Sequence, residues 1–236
     1  MDSNSIRIFR FFIDGYNFYY GLVHGTPHKW LNLKSLLSEI LRIQDPNSQP
    51  SLFFYFTSLV KPELASRGVE SKHAQETYIR ALKATGIEVI EGKHRLDKTC
   101  FPEYVEGEPA SRGRKVAVWN LEEKQTDVNI ALTMYRTVLK QALLPDDEQI
   151  KQVVLVSNDS DFSPALFAIK EDFPHIRVGV ISPIRKEYEG RRKPSGSLSQ
   201  NADWIRRYVS NDEISSNQFP SKVHTRKKPA FKPDYW

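Results

Sequence analysis

The sequence predicts an α/β fold in which a mainly parallel central sheet is flanked by helices on both faces. Short apolar runs alternate with amphipathic segments of helix length, and the connections between them are short. The run Val153–Val156 is continuously apolar, which is typical of a strand covered on both faces. With 236 residues, of which 39% are hydrophobic, the chain can bury a real core, so wholesale disorder is excluded.

The individual elements follow from periodicity and from turn residues. The predicted strands are residues 6–13, 52–56, 87–90, 115–119, 153–156 and 176–181. The predicted helices are residues 31–41, 73–85, 127–144, 163–171 and 197–209. Gly86 ends the second helix, because a helix end often needs a residue at positive φ. Two arginines, Arg7 and Arg10, interrupt the otherwise apolar first strand.

The domain organisation follows from shifts in composition. Residues 1–210 are predicted to form one domain, and residues 91–113, where glycine and proline are scattered among charges, form an exposed insertion in it. Residues 211–236 are predicted to be a basic C-terminal tail. Its final aromatic residues suggest docking on the body of the protein or on a protein partner.

Composition excludes several classes of protein. The single cysteine, Cys100, cannot form an internal disulfide or a zinc site of several thiolates, and it suits a reducing compartment. The apolar N-terminal run is too short and too interrupted for a membrane span or a signal peptide. We therefore expect a soluble cytoplasmic protein with no membrane partner.

The net charge of +5 is unevenly distributed along the chain. Residues 222–236 hold five Lys or Arg and one Asp, and residues 185–193 hold five Lys or Arg and two Glu. Local basic segments can attract a polyanion such as nucleic acid. Solvated tails and loops have the same composition, so charge alone leaves both interpretations open.

Carboxylates stand where the predicted sheet would bind a ligand, beyond the carboxyl ends of its strands. Asp14 follows the first strand, Asp159 and Asp161 follow the strand at 153–156, and Asp127 opens the longest helix. Clustered carboxylates raise one another's pKa unless a cation neutralises them. Hard oxygen ligands favour Mg²⁺ or Mn²⁺, which can activate water and stabilise charge on a phosphoryl oxygen. This is the chemistry of phosphodiester cleavage.

Each carboxylate also has a purely structural interpretation. Asp14 and Gly15 are common turn residues, Asp127 suits the positive end of a helix dipole, and Asp159 can cap the helix that begins at Ser163. These alternatives stay open for each residue alone. The combination of strand ends and a helix start in one α/β chain favours a site.

Three segments of the sequence resemble the NYN domain family, the LabA-like members of the PIN-like nuclease group. They are residues 12–18, 123–132 and 155–162; they occur in the family's order, and the resemblance spans about residues 8–208. Residues 198–204 are similar to the family's closing helix. The resemblance implies a three-layer αβα Rossmann-like (PIN-like) fold and an endoribonuclease that binds Mg²⁺ or Mn²⁺ and acts on RNA.

The resemblance also implies residue roles. Asp14, Asp127, Asp159 and Asp161 would form the catalytic metal cluster. Asn17 would hold the first turn or contact a phosphate, and Ser157 would orient a carboxylate or a metal-bound water. Lys124 would offer positive charge beside the site, or be only an exposed lysine.

The chain departs from the family at three positions. The family often has Gly where this chain has Gln125 and Asn158, and often has an additional acid where it has Thr133. Asn tolerates turn geometries that most residues avoid. The loss of the acid at Thr133 would remove an outer metal ligand, which leaves open whether one or two metal ions bind.

Further substrate contacts are expected around the acidic residues. Tyr16 could stack on a base, although aromatic residues mainly bury area in a core. The segment 185–193 directly follows the strand at 176–181 and so lies at the same edge of the sheet. Its members Arg185, Lys186, Arg191 and Arg192 could hold the RNA backbone, or the segment could be a solvated loop.

Two other functions can be weighed against the nuclease. A phosphatase of the haloacid dehalogenase type needs a second Asp two residues after its nucleophile, and this chain has Tyr16 there. A catalytically inactive RNA-binding or adaptor domain of the same fold remains an open alternative. Catalysis would separate the two, since only the nuclease cleaves the RNA that it binds.

Overall fold

A computed structural model describes residues 7–145 and 149–236. Its strands are β1 (Arg7–Asp14), β2 (Ser48–Thr57), β3 (Glu88–Glu91), β4 (Lys93–Pro102), β5 (Lys115–Lys124), β6 (Gln152–Val156), β7 (Arg177–Ile181), β8 (Trp204–Arg206), β9 (Lys222–Val223) and β10 (Ala230–Phe231). Its α-helices are α1 (Gly15–Phe18), α2 (Leu33–Gln44), α3 (Val69–Ala84), α4 (Thr126–Gln141), α5 (Ser163–Asp172), α6 (Gly196–Gln200) and α7 (Asn211–Ser216). Ile6, where the sequence predicts the first strand to begin, lies outside the described residues.

The central sheet has six strands in the order β3-β2-β1-β6-β7-β8, and every neighbouring pair is parallel. Alternate side chains of β1 enter two separate cores, because successive residues of a strand point to opposite faces. Phe11 packs with α2, α3 and α7, whereas Phe12 packs with α4, α5 and α6. The predicted three-layer αβα fold is therefore confirmed.

The order of the strands determines where a ligand can bind. From β1 the chain builds outward through β2 and β3, and it then returns to place β6 on the other side of β1. In a parallel sheet such a reversal opens a crevice at the carboxyl ends of the two central strands. Ile13 pairs with Val156, so the residues that follow, Asp14 and Ser157, lie beside each other at this crevice.

Most of the exposed insertion is a long antiparallel hairpin. β4 pairs with β5 from Lys93 with Lys124 to Pro102 with Lys115. The strand predicted at 115–119 therefore belongs to this hairpin and extends five residues further. Gly92 joins the hairpin to the sheet, since its N–H donates to the Thr57 carbonyl at 2.8 Å, and a Cβ there would collide with the Thr126 hydroxyl oxygen at the start of α4.

The predicted last helix at 197–209 is wrong. The structure has the short helix α6 followed by the edge strand β8, which pairs with β7. Trp204 begins this strand, and its indole covers Gly179 so closely that a Cβ on Gly179 would collide with the ring. The predicted helix is thus found only over Gly196–Gln200, and Trp204–Arg206 pairs with β7 instead.

The C-terminal segment packs against the body of the protein. Ile214, Phe219 and Ala230 belong to the core that contains α2 and α3, and the Trp30 indole N–H donates to the Pro220 carbonyl over 2.8 Å. The Trp236 ring also contacts the Trp30 ring, with centroids 6.3 Å apart. In the described ranges, no helix is long and apolar enough to cross a membrane.

Candidate active site

Asp14 is built into the floor of the crevice at the end of β1. Its side chain is only 5% exposed. One carboxylate oxygen accepts the Asn17 backbone N–H at 3.0 Å, and the other accepts the Ser157 hydroxyl at 3.0 Å. Gly15 allows this tight descent from strand to helix, because a Cβ there would lie 2.5 Å from the Phe56 carbonyl oxygen. The carboxylate is therefore held in one orientation.

Asn17 joins the turn after β1 to the turn after β6. Its side-chain oxygen accepts the Asn158 backbone N–H at 3.0 Å. The Ser157 hydroxyl makes a second link, since it donates to Asp14 and accepts the Asp159 backbone N–H at 3.1 Å. These contacts give Asn17 and Ser157 structural roles in holding the two turns together.

Asp159 and Asp161 follow β6 in a short 3₁₀ turn that leads into α5. Asp159 caps this turn by accepting the Asp161 backbone N–H at 3.0 Å, so the capping interpretation holds for one of its oxygens. The side chain of Asp161 is exposed. The cap does not exclude a second role, because a carboxylate has further lone pairs to offer.

Asp127 lies in the first turn of α4, and the residue that caps this helix is Gln125. Gln125 has a φ of 76° and its side chain makes no capping hydrogen bond. A left-handed conformation is costly for a residue with a Cβ, which explains why glycine suits this position. The turn directs both α4 and the end of β5 toward the crevice.

Glu123, at the end of β5, is a further acidic residue that sequence reasoning missed. Its carboxylate accepts the Thr126 hydroxyl at 2.6 Å, and its charge raises the pKa of both Asp14 and Asp127. It lies near the end of β5, just before α4 begins, but the sequence predicts a strand only over residues 115–119. The hairpin extension to Lys124 is what brings it here.

Charge interactions connect several of the acidic residues at the crevice. Burial raises the pKa of Asp14 to about 6; the hydrogen bonds from Asn17 and Ser157 oppose this shift, and the charges of Asp127 and Glu123 add to it. Partial desolvation and then the charges of Asp159, Glu123 and Asp161 raise the pKa of Asp127. Asp127 is therefore the link between the aspartates, since it interacts with Asp14 on one side and with Asp159 and Asp161 on the other.

The predicted substrate-contacting residues differ in how free they are. Tyr16 is engaged in the structure: its hydroxyl donates to the Ser58 carbonyl at 3.2 Å, and burial raises its pKa. Lys124 forms an ion pair with Glu122 beside the site. Arg185 donates to the Tyr188 hydroxyl at 2.6 Å and pairs with Glu187 at 3.0 Å, so it braces its own turn.

The other basic residues of this segment remain on the surface near the crevice. Lys186, Arg191 and Arg192 are exposed. Asn158 fastens the end of their segment to the acidic turn, because its amide donates to the Lys193 carbonyl at 3.3 Å and accepts the Ser195 backbone N–H at 2.8 Å. Asn158 thus makes two contacts that a glycine could not make.

The donor set has the right chemistry for a hard divalent cation, since it is made of carboxylates that disfavour one another's charge. The positions of the side chains do not complete a ligand set. Among residues 7–145 and 149–236, no group of three or more His, Cys, Asp or Glu is placed to share one metal ion. A cation would require the exposed carboxylates to change rotamer toward Asp14.

Comparison with known proteins decides the family. The model of the NYN domain matches residues 10–205. The chain belongs to the NYN domain family. This family is part of the PIN-like nuclease group, and the resemblance predicted from the three motifs is confirmed.

Two further proteins are similar to this NYN protein. A 6-hydroxy-3-succinoylpyridine 3-monooxygenase of Pseudomonas putida is 34% identical over 256 aligned positions, which include 100% of this chain and 77% of the relative. A crystal structure of a protein of unknown function from Vibrio parahaemolyticus matches with a TM-score of 0.50 and 17% identity, over 91% of this chain and 98% of that one. The second match supports the fold alone.

Proposed function

We propose that this NYN protein is a metal-dependent endoribonuclease that hydrolyses RNA phosphodiester bonds at the carboxylate cluster. The observation that supports this most is the coupling of Asp127, Asp159 and Asp161 at a crevice whose floor holds Asp14. Membership in a family of the PIN-like nuclease group supports the same chemistry. Mg²⁺ or Mn²⁺ is the proposed cofactor.

In the proposed site, one carboxylate is held in a fixed orientation and the others are free to move. Asp14 is fixed by Asn17 and Ser157, so it offers its oxygens in one direction. Asp127 and Asp161 are exposed and can rotate toward it. A bound divalent cation would lower the pKa of a water molecule and stabilise negative charge on the phosphoryl oxygens. Lys186, Arg191 and Arg192 would hold the RNA backbone beside the cluster, and the products would carry 5′-phosphate and 3′-hydroxyl ends.

A second candidate is oxidation of an aromatic substrate, and one observation favours it. The relative that is 34% identical over the whole of this chain is named a monooxygenase of 6-hydroxy-3-succinoylpyridine. The first turn of the sheet argues against a bound dinucleotide at the crevice. Such cofactors place a pyrophosphate against glycine N–H groups there, and an ionised Asp14 would repel it.

The decisive experiment measures both activities on the same preparations. A 5′-labelled single-stranded RNA is incubated with the protein and Mn²⁺, with Mg²⁺, or with a chelator, and the products are resolved on a gel. In parallel, oxygen uptake is measured with 6-hydroxy-3-succinoylpyridine and a reduced nicotinamide donor. We expect metal-dependent cleavage of RNA and no substrate-dependent oxygen uptake.

Three variants distinguish cleavage at this site from cleavage by a contaminating nuclease. Asp14→Asn and Asp161→Asn should each lower the cleavage rate by about 10³-fold, which corresponds to about 4 kcal/mol in the activation free energy. Asp212→Asn removes an equally exposed carboxylate on α7 and should retain full activity. Unchanged cleavage in Asp14→Asn and Asp161→Asn would reject the proposal. RNA binding and Mn²⁺ binding without cleavage would indicate the inactive adaptor.

A further inference from the structure

Arg10 lies where the sheet would ordinarily present an apolar side chain. It is in the middle of β1, on the same face as Phe12, and this face is covered by the core that includes α4. Its backbone position pairs with Leu52 of β2. The Nε atom of Arg10 is buried and has no hydrogen-bond partner. Such an unsatisfied buried donor is costly unless something binds it.

A cleft of about 420 Å³ opens in front of Arg10, between the sheet and one face of α4. Arg136 and Lys140 line it from α4 together with Arg10 from β1, and Phe54 forms part of its floor. None of the residues that line the cleft is acidic. Within the described ranges, these three cations form no ion pair with any carboxylate.

Neutral hydrogen-bonding groups complete the cleft. Asn129, Thr133 and Thr137 also line it, on the face of α4 that turns toward β2. An acid at Thr133 would place a negative charge beside Arg136, but threonine is neutral. In this chain the cleft is therefore wholly cationic and neutral, which suits an anionic ligand.

The same helix, α4, contributes residues to the carboxylate cluster and to the cleft. α4 begins at Thr126, beside Asp127, and Lys140 is near its other end. Thirteen residues at 1.5 Å each separate Asp127 from Lys140 by about 20 Å. A stacked nucleic-acid strand rises about 3.4 Å per nucleotide, so this distance corresponds to about six nucleotides.

We propose that the cleft of Arg10, Arg136 and Lys140 binds the backbone phosphates of the single-stranded RNA whose scissile bond lies at the carboxylate cluster. This inference rests on the proposed function, because it takes RNA as the ligand of the neighbouring site. The guanidinium of Arg10 binds a phosphate in the cleft, and Arg136 and Lys140 bind the strand at the rim. The length of the cleft along α4 favours a chain of phosphates over a single small anion.

The test measures binding without cleavage. Fluorescence anisotropy of a labelled 12-nucleotide RNA is recorded with a chelator present, so that no divalent cation acts. We expect the double variant R136Q/K140Q to bind about 10- to 25-fold more weakly at 0.1 M salt. The slope of log K against log salt should fall in magnitude by about 1.4, because each lost contact to a single strand contributes about 0.7.

Matched controls separate the cleft from net charge and from misfolding. R42Q/K72Q removes the same two charges from α2 and α3, on the opposite face of the sheet, and should bind within twofold of the wild type. Both members of R136Q/K140Q are exposed, so this variant should unfold at the wild-type temperature. R10M tests the half-buried Arg10 separately and should weaken binding while circular dichroism stays unchanged.

The possible outcomes distinguish failure of the binding cleft from failure of the proposed nuclease function. If R136Q/K140Q and R42Q/K72Q lose RNA affinity equally, or if the wild type binds no RNA, the proposal that the cleft binds RNA is rejected. Displacement of the RNA by millimolar inorganic phosphate at matched ionic strength would overturn it too, because it would indicate a small-anion site. Selective weakening in R136Q/K140Q supports the cleft, and it does so even if the wild type cleaves no RNA, in which case only the nuclease proposal fails.

Discussion

The carboxylate after β1 and the carboxylates around β6 and α4 occupy the same crevice but are held in opposite ways. Asp14 is 5% exposed, and both of its oxygens accept hydrogen bonds from neighbouring turns. Asp127 and Asp161 are exposed, and Asp159 uses one oxygen to cap a turn. One side of the site is therefore part of the core, and the other side is part of the surface.

This difference shows how a fold can keep a buried carboxylate whose ionised form is unfavourable. Burial alone would drive the proton onto Asp14, and the two hydrogen bonds only partly offset that tendency. The exposed carboxylates cost little by themselves but add their repulsion. A site of this kind gains most from a cation, because a cation relieves the buried and the exposed charges together.

The largest expected effect concerns the stability cost of Asp14. Its pKa is raised to about 6 in the folded protein from 3.8, so the folded state binds the proton more tightly. Stability from this group is fully present below pH 3.8 and is lost as pH rises through 6. Above pH 7 the ionised group costs about 3 kcal/mol. Asp14→Asn should remove that cost and raise the free energy of unfolding at pH 8, measured by urea denaturation.

Asp161→Asn is the matched comparison for that measurement. Its side chain is exposed, so we expect the stability of this variant to follow the wild-type pH profile. The profile of Asp14→Asn should instead be flatter between pH 4 and 7. If the two variants have the same profile, the contrast between the buried and the exposed carboxylate is wrong.

The next effect is the response of stability to metal. Mn²⁺ at about 100 times its dissociation constant should stabilise the wild type by about 2.7 kcal/mol. The gain should shrink as pH falls below 6, because protonated Asp14 must first release its proton. Thermal unfolding with and without Mn²⁺ measures this.

Variants on each side of the crevice sharpen the result. Asp14→Asn and Asp161→Asn should both lose most of the Mn²⁺ shift, whereas Asp212→Asn should keep it. A shift lost in Asp14→Asn but intact in Asp161→Asn would mean that Asp161 takes no part in metal binding.

A smaller effect is expected from the link between the two turns. Asn17→Ala deprives the Asn158 backbone N–H of its acceptor at the crevice and should destabilise the fold by about 1 to 2 kcal/mol. Asn211→Ala, which loses an exposed contact to Glu187, is the control and should change stability by less than about 0.5 kcal/mol. Chemical denaturation of the two variants gives the comparison, and equal losses would show that Asn17 does not bridge the turns.

The smallest expected change in stability comes from Gln125, in the turn that precedes Asp127. Gln125→Gly relieves a left-handed backbone at φ 76° and should stabilise the protein by about 0.5 kcal/mol, after the greater freedom of glycine in the unfolded chain is subtracted. Gln125→Ala keeps the Cβ and should bring no gain. Urea denaturation distinguishes the two, and a gain in both would mean that strain at Gln125 is not the cause.

Prediction from sequence succeeded where the signal is local. A continuous apolar run identified β6, which is typical of a strand covered on both faces, and a mainly apolar run interrupted by arginines identified β1. It failed at residues 197–209, where the second part of the predicted helix is an edge strand whose pairing with β7 is a long-range contact. It also missed Glu123, since only the full length of the β4–β5 hairpin brings that residue to the crevice.

The sequence by itself determined which residues end the strands and begin the long helix, and so it determined that Asp14, Asp127, Asp159 and Asp161 stand at element boundaries. Only the tertiary structure decided that β6 lies beside β1, which of these carboxylates is buried, and that Arg10 faces α4 across a cleft. The reason is physical. Secondary structure reports short-range periodicity, whereas strand order, burial and charge coupling arise from contacts between residues more than a hundred positions apart.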